Sequence, residues 1–294
     1  MLTNLPQESL CCENGFFWGG VLFMKYEYDS DNIFAKILRE EIPKKTVIET
    51  KLSLAFEDIK KYCKEIIIQT DPRLVSIFER SFSKKIKFCS IDEKICEKKY
   101  DYHLSTSSLP KFFRNNINSF SKKTDGWLLP NRTRSKKLKN MITQKEKKII
   151  GVSWFTAQNK ENSDQHNIKL KKLICCLSKK NVEIVNLQYG EVNNEIIEIE
   201  KDTGIKIHQI SEIDNWKDID GLASLIDACD EVISIDNVTL HLAGAIGKKS
   251  KALLKNPPDW RWGHNRQNSF WHSAVELYNK DGSNIFEKFS KKPA

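Results

Sequence analysis

Residues 228–248 constrain the fold more than any other stretch. They read Ala228-Cys229-Asp230-Glu231-Val232-Ile233-Ser234-Ile235-Asp236-Asn237-Val238-Thr239-Leu240-His241-Leu242-Ala243-Gly244-Ala245-Ile246-Gly247-Lys248. Val232 to Ile235 is a short apolar, β-branched run suited to a buried strand. Asp236-Asn237 is turn chemistry, and Asn237 or Thr239 can cap a following helix. Leu240 to Ile246 are apolar or small apart from His241, and Gly247 is placed to end the helix in a left-handed conformation. Strand, tight turn and helix in that order make a βα unit. Its turn would lie at the carboxyl end of a strand, where open α/β sheets bind ligands. A helix N-terminus there offers backbone N–H groups to an anion. On geometry alone, an ordinary βα unit that binds nothing is the simpler reading.

The same rhythm runs through most of the chain. Thr46–Glu49 reads as a strand and Leu52–Cys63 as a helix. Glu65–Gln69 is a buried strand, and Asp71-Pro72 opens a helix. Lys85–Cys89 and Tyr100–Leu104 are further strands. Residues 114–147 lose the pattern and are rich in Lys, Asn, Ser and Thr. They read as a linker with one anchored piece, Trp127-Leu128-Leu129. Strands then recur at Lys148–Trp154, Val182–Gln188, Lys206–His208, Ser250–Leu254 and Val275–Tyr278. Helices are expected over 168–178, 192–202, 219–228 and 285–290. Alternating strand and helix on both sides of a linker predicts two Rossmann-like, doubly wound α/β domains facing a cleft. The boundaries read 1–43 for an unassigned N-terminal segment, 44–115 for the first domain, 116–147 for the linker and 148–294 for the second domain.

At 294 residues the chain is long enough for two such domains. Its net charge of +9 is compatible with an anionic partner. The Lys residues are dispersed among Glu and Asp, and no zinc finger, helix-turn-helix or RNP pattern accompanies them. That argues against nucleic acid. A sugar nucleotide, or a peripheral contact with an anionic inner membrane, remains open. None of the eight cysteines makes a Cys-x-x-Cys, and no Cys/His spacing suits zinc. No metal or cofactor is expected. The early apolar segment Gly15–Met24 is short and lacks a basic flank, so the sequence predicts a cytoplasmic chain with reduced thiols.

Five segments recur together in a known family. They are Gly151–Trp154, Val185–Glu191, Asp218–Ala223, Ile233–Lys248, and Pro258–Gly263 with Arg266 and Ser269–Trp271. In the first half, Ile66–Ile68 with Asp71–Phe82, and Tyr100–His103 through Ser108–Pro110, also fit. Together they resemble the bacterial glycosyltransferase domain that follows tetratricopeptide repeats, here without the repeats. That domain is similar to the ADP-heptose lipopolysaccharide heptosyltransferases of glycosyltransferase family nine. The resemblance implies a GT-B-like fold, a nucleotide-diphosphate sugar donor held by the second domain, a glycan or protein acceptor, and metal-independent transfer. It would place the donor diphosphate at Asn237, Val238 and Thr239. His241 would reach the phosphates or simply pack. Gln188 and Glu191 would lie beside the nucleoside, unless Glu191 is only a capping or solvated side chain. Trp154 and Trp260-Arg261-Trp262 would wall the cleft or fill the core. Arg261 and Arg266 would pair with phosphate or with a surface carboxylate. His103 and Ser107 would face the acceptor.

Two departures stand out. The family's Gly-x-Gly-Asp loop, whose aspartate is the favoured base, has no counterpart at Ile48–Leu52, where Glu49 is the nearest carboxylate. Phe155 stands where a basic residue often follows Ser-Trp, leaving Lys160 or Lys169 as substitutes. A sugar-nucleotide-binding module without turnover is therefore the alternative.

Overall fold

The computed structural model describes residues 21–22, 56, 63–95, 104–106, 109, 126–143, 147–156, 167–178, 181–259, 261–263 and 266–279. The chain divides into two compact units, Met1–Phe120 and Ser121–Ala294. Both are α/β, the class expected.

In the first unit, strands β1 (Val21–Leu22), β2 (Ile66–Thr70), β3 (Ile86–Ser90) and β4 (Leu104–Ser105) pair in the order β3-β2-β1-β4. β2 and β3 run parallel, while β1 is antiparallel to both β2 and β4. The sheet is therefore mixed, because a strand from the segment left unassigned inserts between two others. A two-residue strand has no period to read. The helix α1 (Pro72–Ser81) starts as its sequence dictates, with Asp71 as cap and proline in the first turn. Asp71 Oδ1 accepts from Arg73 N at 2.8 Å. Arg73 Nε and a terminal guanidinium nitrogen hold the two carboxylate oxygens of Asp71 at 3.0 and 2.9 Å. The buried face of α1 joins Phe56, Phe82 and Phe88 through Phe78, with ring centroids 5.3–6.3 Å apart. The expected strand at 46–49 and the site candidates His103 and Ser107 lie outside the described residues, as does the helix over 52–63 apart from Phe56 and Cys63.

The second unit holds α2 (Arg132–Ile142), β5 (Lys148–Ser153), α3 (Leu170–Leu177), β6 (Val182–Asn186), α4 (Asn193–Thr203), β7 (Ile207–His208), α5 (Ile219–Ala228), β8 (Glu231–Ser234), α6 (Val238–Ile246), β9 (Ser250–Leu254) and β10 (Val275–Asn279). Its six strands run in the order β10-β9-β8-β5-β6-β7, all parallel. This is the order of a dinucleotide-binding sheet, with the reversal between β5 and β8. β8 and β9 are buried along their whole length, as a parallel sheet covered on both faces requires. One apolar cluster gathers Val152, Trp154, Ile174, Ile196 and Ile233. Another gathers Leu240, Ala252, Leu254, Trp262 and Val275.

α2 stands where a linker was expected. Its Lys/Arg content hides a narrow buried face of Ser135, Leu138 and Ile142. Asn131 caps it, accepting from Arg134 N at 3.1 Å. Its charges pair outward with other elements: Arg132 with Asp227 at 2.6 Å, Arg134 with Asp218 at 2.7 Å and Lys139 with Asp230 at 3.0 Å. The piece ahead of it is anchored as expected. The N–H groups of Trp127 and Leu128 donate to Ala245 O at 2.8 and 2.9 Å. Gly126 permits this approach, since a Cβ there would lie 2.0 Å from the Ile246 carbonyl carbon. Among the described residues no helix is long and apolar enough to cross a membrane.

Candidate functional site

The strand reversal puts the carboxyl ends of β5 and β8 side by side, with Ser153 opposite Ser234. Beyond β8 the chain turns at Asp236-Asn237 and enters α6. Asn237 is the cap, with its backbone extended and its Oδ1 accepting from Leu240 N at 3.3 Å. His241 N takes the first intrahelical bond, to Asn237 O. The amides of Val238 and Thr239 come before both, outside the intrahelical ladder, with Val238 half-buried and Thr239 fully buried. At the far end Gly247 is left-handed at φ 78°, as its sequence position predicted.

The side chains of this turn face inward. Asn237 Nδ2 donates to Ser153 Oγ at 2.7 Å, and Ser234 Oγ donates to Asn237 Oδ1 at 3.0 Å. Thr239 Oγ1 donates to Leu187 O at 3.4 Å. Gln188 is buried, and its Oε1 accepts from Ser153 Oγ, Trp154 N and Phe155 N at 2.9, 2.8 and 3.0 Å. Gln188 and Asn237 are thus structural hubs as placed, not side chains held open to a ligand. Trp154 is a core residue rather than a wall, and its indole N–H donates to Glu195 Oε2 at 3.0 Å.

His241 is buried and stacks on Trp262, with centroids 4.9 Å apart and planes 14° off parallel. Its Nε2 lies 3.3 Å from Asp236 Oδ1. Arg261 Nε lies 3.4 Å from Asp259 Oδ1, and Arg266 sits over the Phe270 ring. Burial would push the Asp236 carboxyl up, but the His241 ring, the Trp262 indole and Arg261 outweigh it and hold it down at about 2. A carboxyl lowered on folding stabilises the protein above its ordinary pKa, and that contribution fades as the pH falls through the folded value. Between about pH 4 and pH 2 the wild type should therefore lose about 2 kcal/mol that Asp236→Asn does not lose. Urea midpoints of both proteins at the two pH values check this, and equal acid sensitivity would exclude the pairing.

A cleft of 790 Å3 opens beside the carboxyl end of β6. Asn186, Gln188, Tyr189, Glu191, Ile197 and Trp216 are among its lining residues. Gly190, left-handed at φ 87°, turns the chain there. Trp216 and Ile197 are 48% and 60% exposed, although both are large and apolar. Tyr189 and Trp216 rings lie 5.2 Å apart, and Phe155 continues the row 5.9 Å from Tyr189. Glu191 is exposed on the rim. Asn215 braces the floor, donating to Gln188 O at 3.0 Å.

Of the residues singled out from sequence, Asn237, Val238, Thr239 and His241 share one turn of α6, while Gln188 and Glu191 share the cleft. Arg261 belongs to the group around Asp236 and His241. Trp260 and Lys160 lie outside the described residues, and Lys169 immediately precedes α3. Asp236, Ser153, Ser234 and Trp216 were not singled out. Asp236 looked like turn chemistry, and nothing in a lone Trp216 signals exposure. Among the described residues no three His, Cys, Asp or Glu side chains gather closely enough to hold a metal ion.

No family model matches the chain. A 66-residue stretch, 22% of this chain, is 44% identical to Protein FlbA of Caulobacter vibrioides but spans only 11% of that protein. Two solved structures are similar over a larger share of the chain. The glycosyl transferase family 9 structure from Veillonella parvula has 11% identity and a TM-score of 0.43, covering 86% of this chain and 73% of its own. The E. coli ADP-heptose lps heptosyltransferase II has 13% identity and a TM-score of 0.39, covering 83% and 78%. At this identity and these scores the likeness assigns no residue a role.

Proposed function

We propose that the chain is a glycosyltransferase that takes a nucleotide-diphosphate sugar and passes a hexose or heptose to a glycan or protein acceptor, in a GT-B arrangement. The observation that carries this is the pairing of two features at one sheet edge. The helix α6 begins at the strand reversal, and an aromatic-lined cleft opens two strands away. The N-terminus of α6 suits a diphosphate, through the Val238 and Thr239 amides and the helix dipole. The cleft suits a nucleoside, with Trp216 as a flat apolar surface for the base and Glu191 for ribose hydroxyls. Transfer then needs a base to take the acceptor proton while the helix end stabilises the departing diphosphate. We place the acceptor on the first unit, at residues 44–115, near His103 and Ser107. The setting is the cytoplasm, with cell-surface glycan or protein glycosylation as the process and the inner membrane as a peripheral surface.

The test is a calorimetric screen of UDP-, ADP-, GDP-, CDP- and TDP-sugars. Stacking on an aromatic ring is worth roughly 1–3 kcal/mol per base, so Trp216→Ala should weaken the best donor by at least about fivefold. No binding by any donor, or equal binding by the variant, would overturn the reading. A second reading rests on the sequence at Ile48–Leu52, which lacks the family's Gly-x-Gly-Asp. On that reading donors bind and none is consumed, and donor hydrolysis or transfer above background decides against it.

A further inference from the structure

The cleft and the start of α6 are joined by an unbroken line of buried hydrogen bonds, which no part of the reaction scheme above uses. It begins at Asn186, whose Oδ1 accepts from Gln188 N at 2.8 Å. Gln188 Oε1 accepts from Ser153 Oγ at 2.9 Å. Ser153 Oγ accepts from Asn237 Nδ2 at 2.7 Å, and Asn237 Oδ1 accepts from Leu240 N at 3.3 Å. The line crosses from β6 to β5 to the turn after β8, three strands that meet at the reversal. Its polarity is fixed at both amides. Gln188 Nε2 donates to Tyr189 O at 3.2 Å, and Asn237 Nδ2 is also 3.4 Å from Phe155 O. Neither amide can flip without setting two acceptors against each other. Asn186, Gln188, Ser153 and Asn237 are all buried, so water does not compete for the bonds.

We infer that Ser153 and Gln188 are positioning residues: they hold the first turn of α6 in register with the cleft, so that one ligand is gripped at both places. This rests on the reading that the cleft takes a nucleoside and α6 its diphosphate. Ser153 is the sole side chain in the line that touches both halves, as donor to Gln188 and acceptor from Asn237. Removing its hydroxyl breaks the side-chain path, leaves Gln188 and Asn237 linked only through the Phe155 backbone, and spares the remaining bonds of both neighbours. Gln188 keeps Trp154 N and Phe155 N, and Asn237 keeps Leu240 N.

The experiment compares nucleoside diphosphates with their monophosphates (UDP, ADP, GDP and CDP against UMP, AMP, GMP and CMP) by calorimetry on the full chain. Ser153→Ala removes two buried hydrogen bonds, the one to Gln188 Oε1 and the one from Asn237 Nδ2, and part of that loss reaches the ligand through the first turn of α6. Ser153→Ala should therefore bind the preferred diphosphate roughly five- to tenfold more weakly. Its monophosphate affinity should stay within about twofold, and Ser153→Thr, which keeps the hydroxyl, should restore the wild-type ratio. Ser224→Ala removes another buried hydroxyl, bonded to Asp220 O at 2.9 Å. It controls for general loosening and should leave the ratio unchanged. An equal fall for both ligand classes in Ser153→Ala, or no fall, would overturn the positioning role while the donor reading stands. Wild-type protein that binds no diphosphate overturns the donor reading itself, and the positioning role with it.

Discussion

Trp154→Ala should cost about 3–5 kcal/mol of stability, the range for emptying a large aromatic site in a core. The indole is 2% exposed and belongs to the cluster of Ile150, Val152, Ile233 and Tyr278. It is also edge-on to Phe155, with centroids 6.4 Å apart. Alanine leaves a cavity that the surrounding strands are too constrained to fill. The bond to Glu195 adds less, because Glu195 is only half-buried and can turn to water. Trp154→Phe should therefore recover most of the loss. Urea unfolding of the three proteins measures this, and a loss below about 1 kcal/mol for alanine would place Trp154 outside the core.

Gly244→Ala should cost about 3 kcal/mol, at the upper end for overpacking. A Cβ at Gly244 would stand 2.4 Å from His272 Cγ and 2.7 Å from His272 Cβ. His272 is buried, with its ring 6.4 Å from Trp262 and 5.8 Å from His241. It cannot swing aside without disturbing the stack on which His241 sits. Helix propensity pulls the other way, since alanine favours a helix over glycine by about 1 kcal/mol. A stabilised variant would show that this gain outweighs the clash, and that the helix can move away from His272. Thermal melts with calorimetric enthalpies separate the two outcomes. Gly244→Ser should behave like alanine, because the first side-chain atom makes the clash.

Much of the second unit was legible because its elements are local. The apolar runs of β5, β8 and β9 and the punctuation around α6, Asn237 before it and Gly247 after it, are single-sequence signals. α2 was not legible, since a helix that buries three residues and pairs its charges with distant partners reads as a solvated tract. β1 was not legible because it is two residues long and borrows its pairing from both sides. At the site, spacing suggested which residues meet but not which way they face. Thr239 and Gln188 carry donors and acceptors suited to a ligand, yet both spend them on Leu187 and on the β5 end. The closeness of Asp236, His241 and Trp262 joins a turn, a helix and a loop beyond the next strand. Only the folded sheet brings those together.

The anchoring of Trp127 and Leu128 on Ala245 has a mechanical side. α6 is nine residues long, a rod of about 13 Å at the usual rise per residue. One tip carries the Val238 and Thr239 amides, and the other holds the segment that leads into α2. A displacement of that segment would therefore reach the amide tip through a single stiff helix.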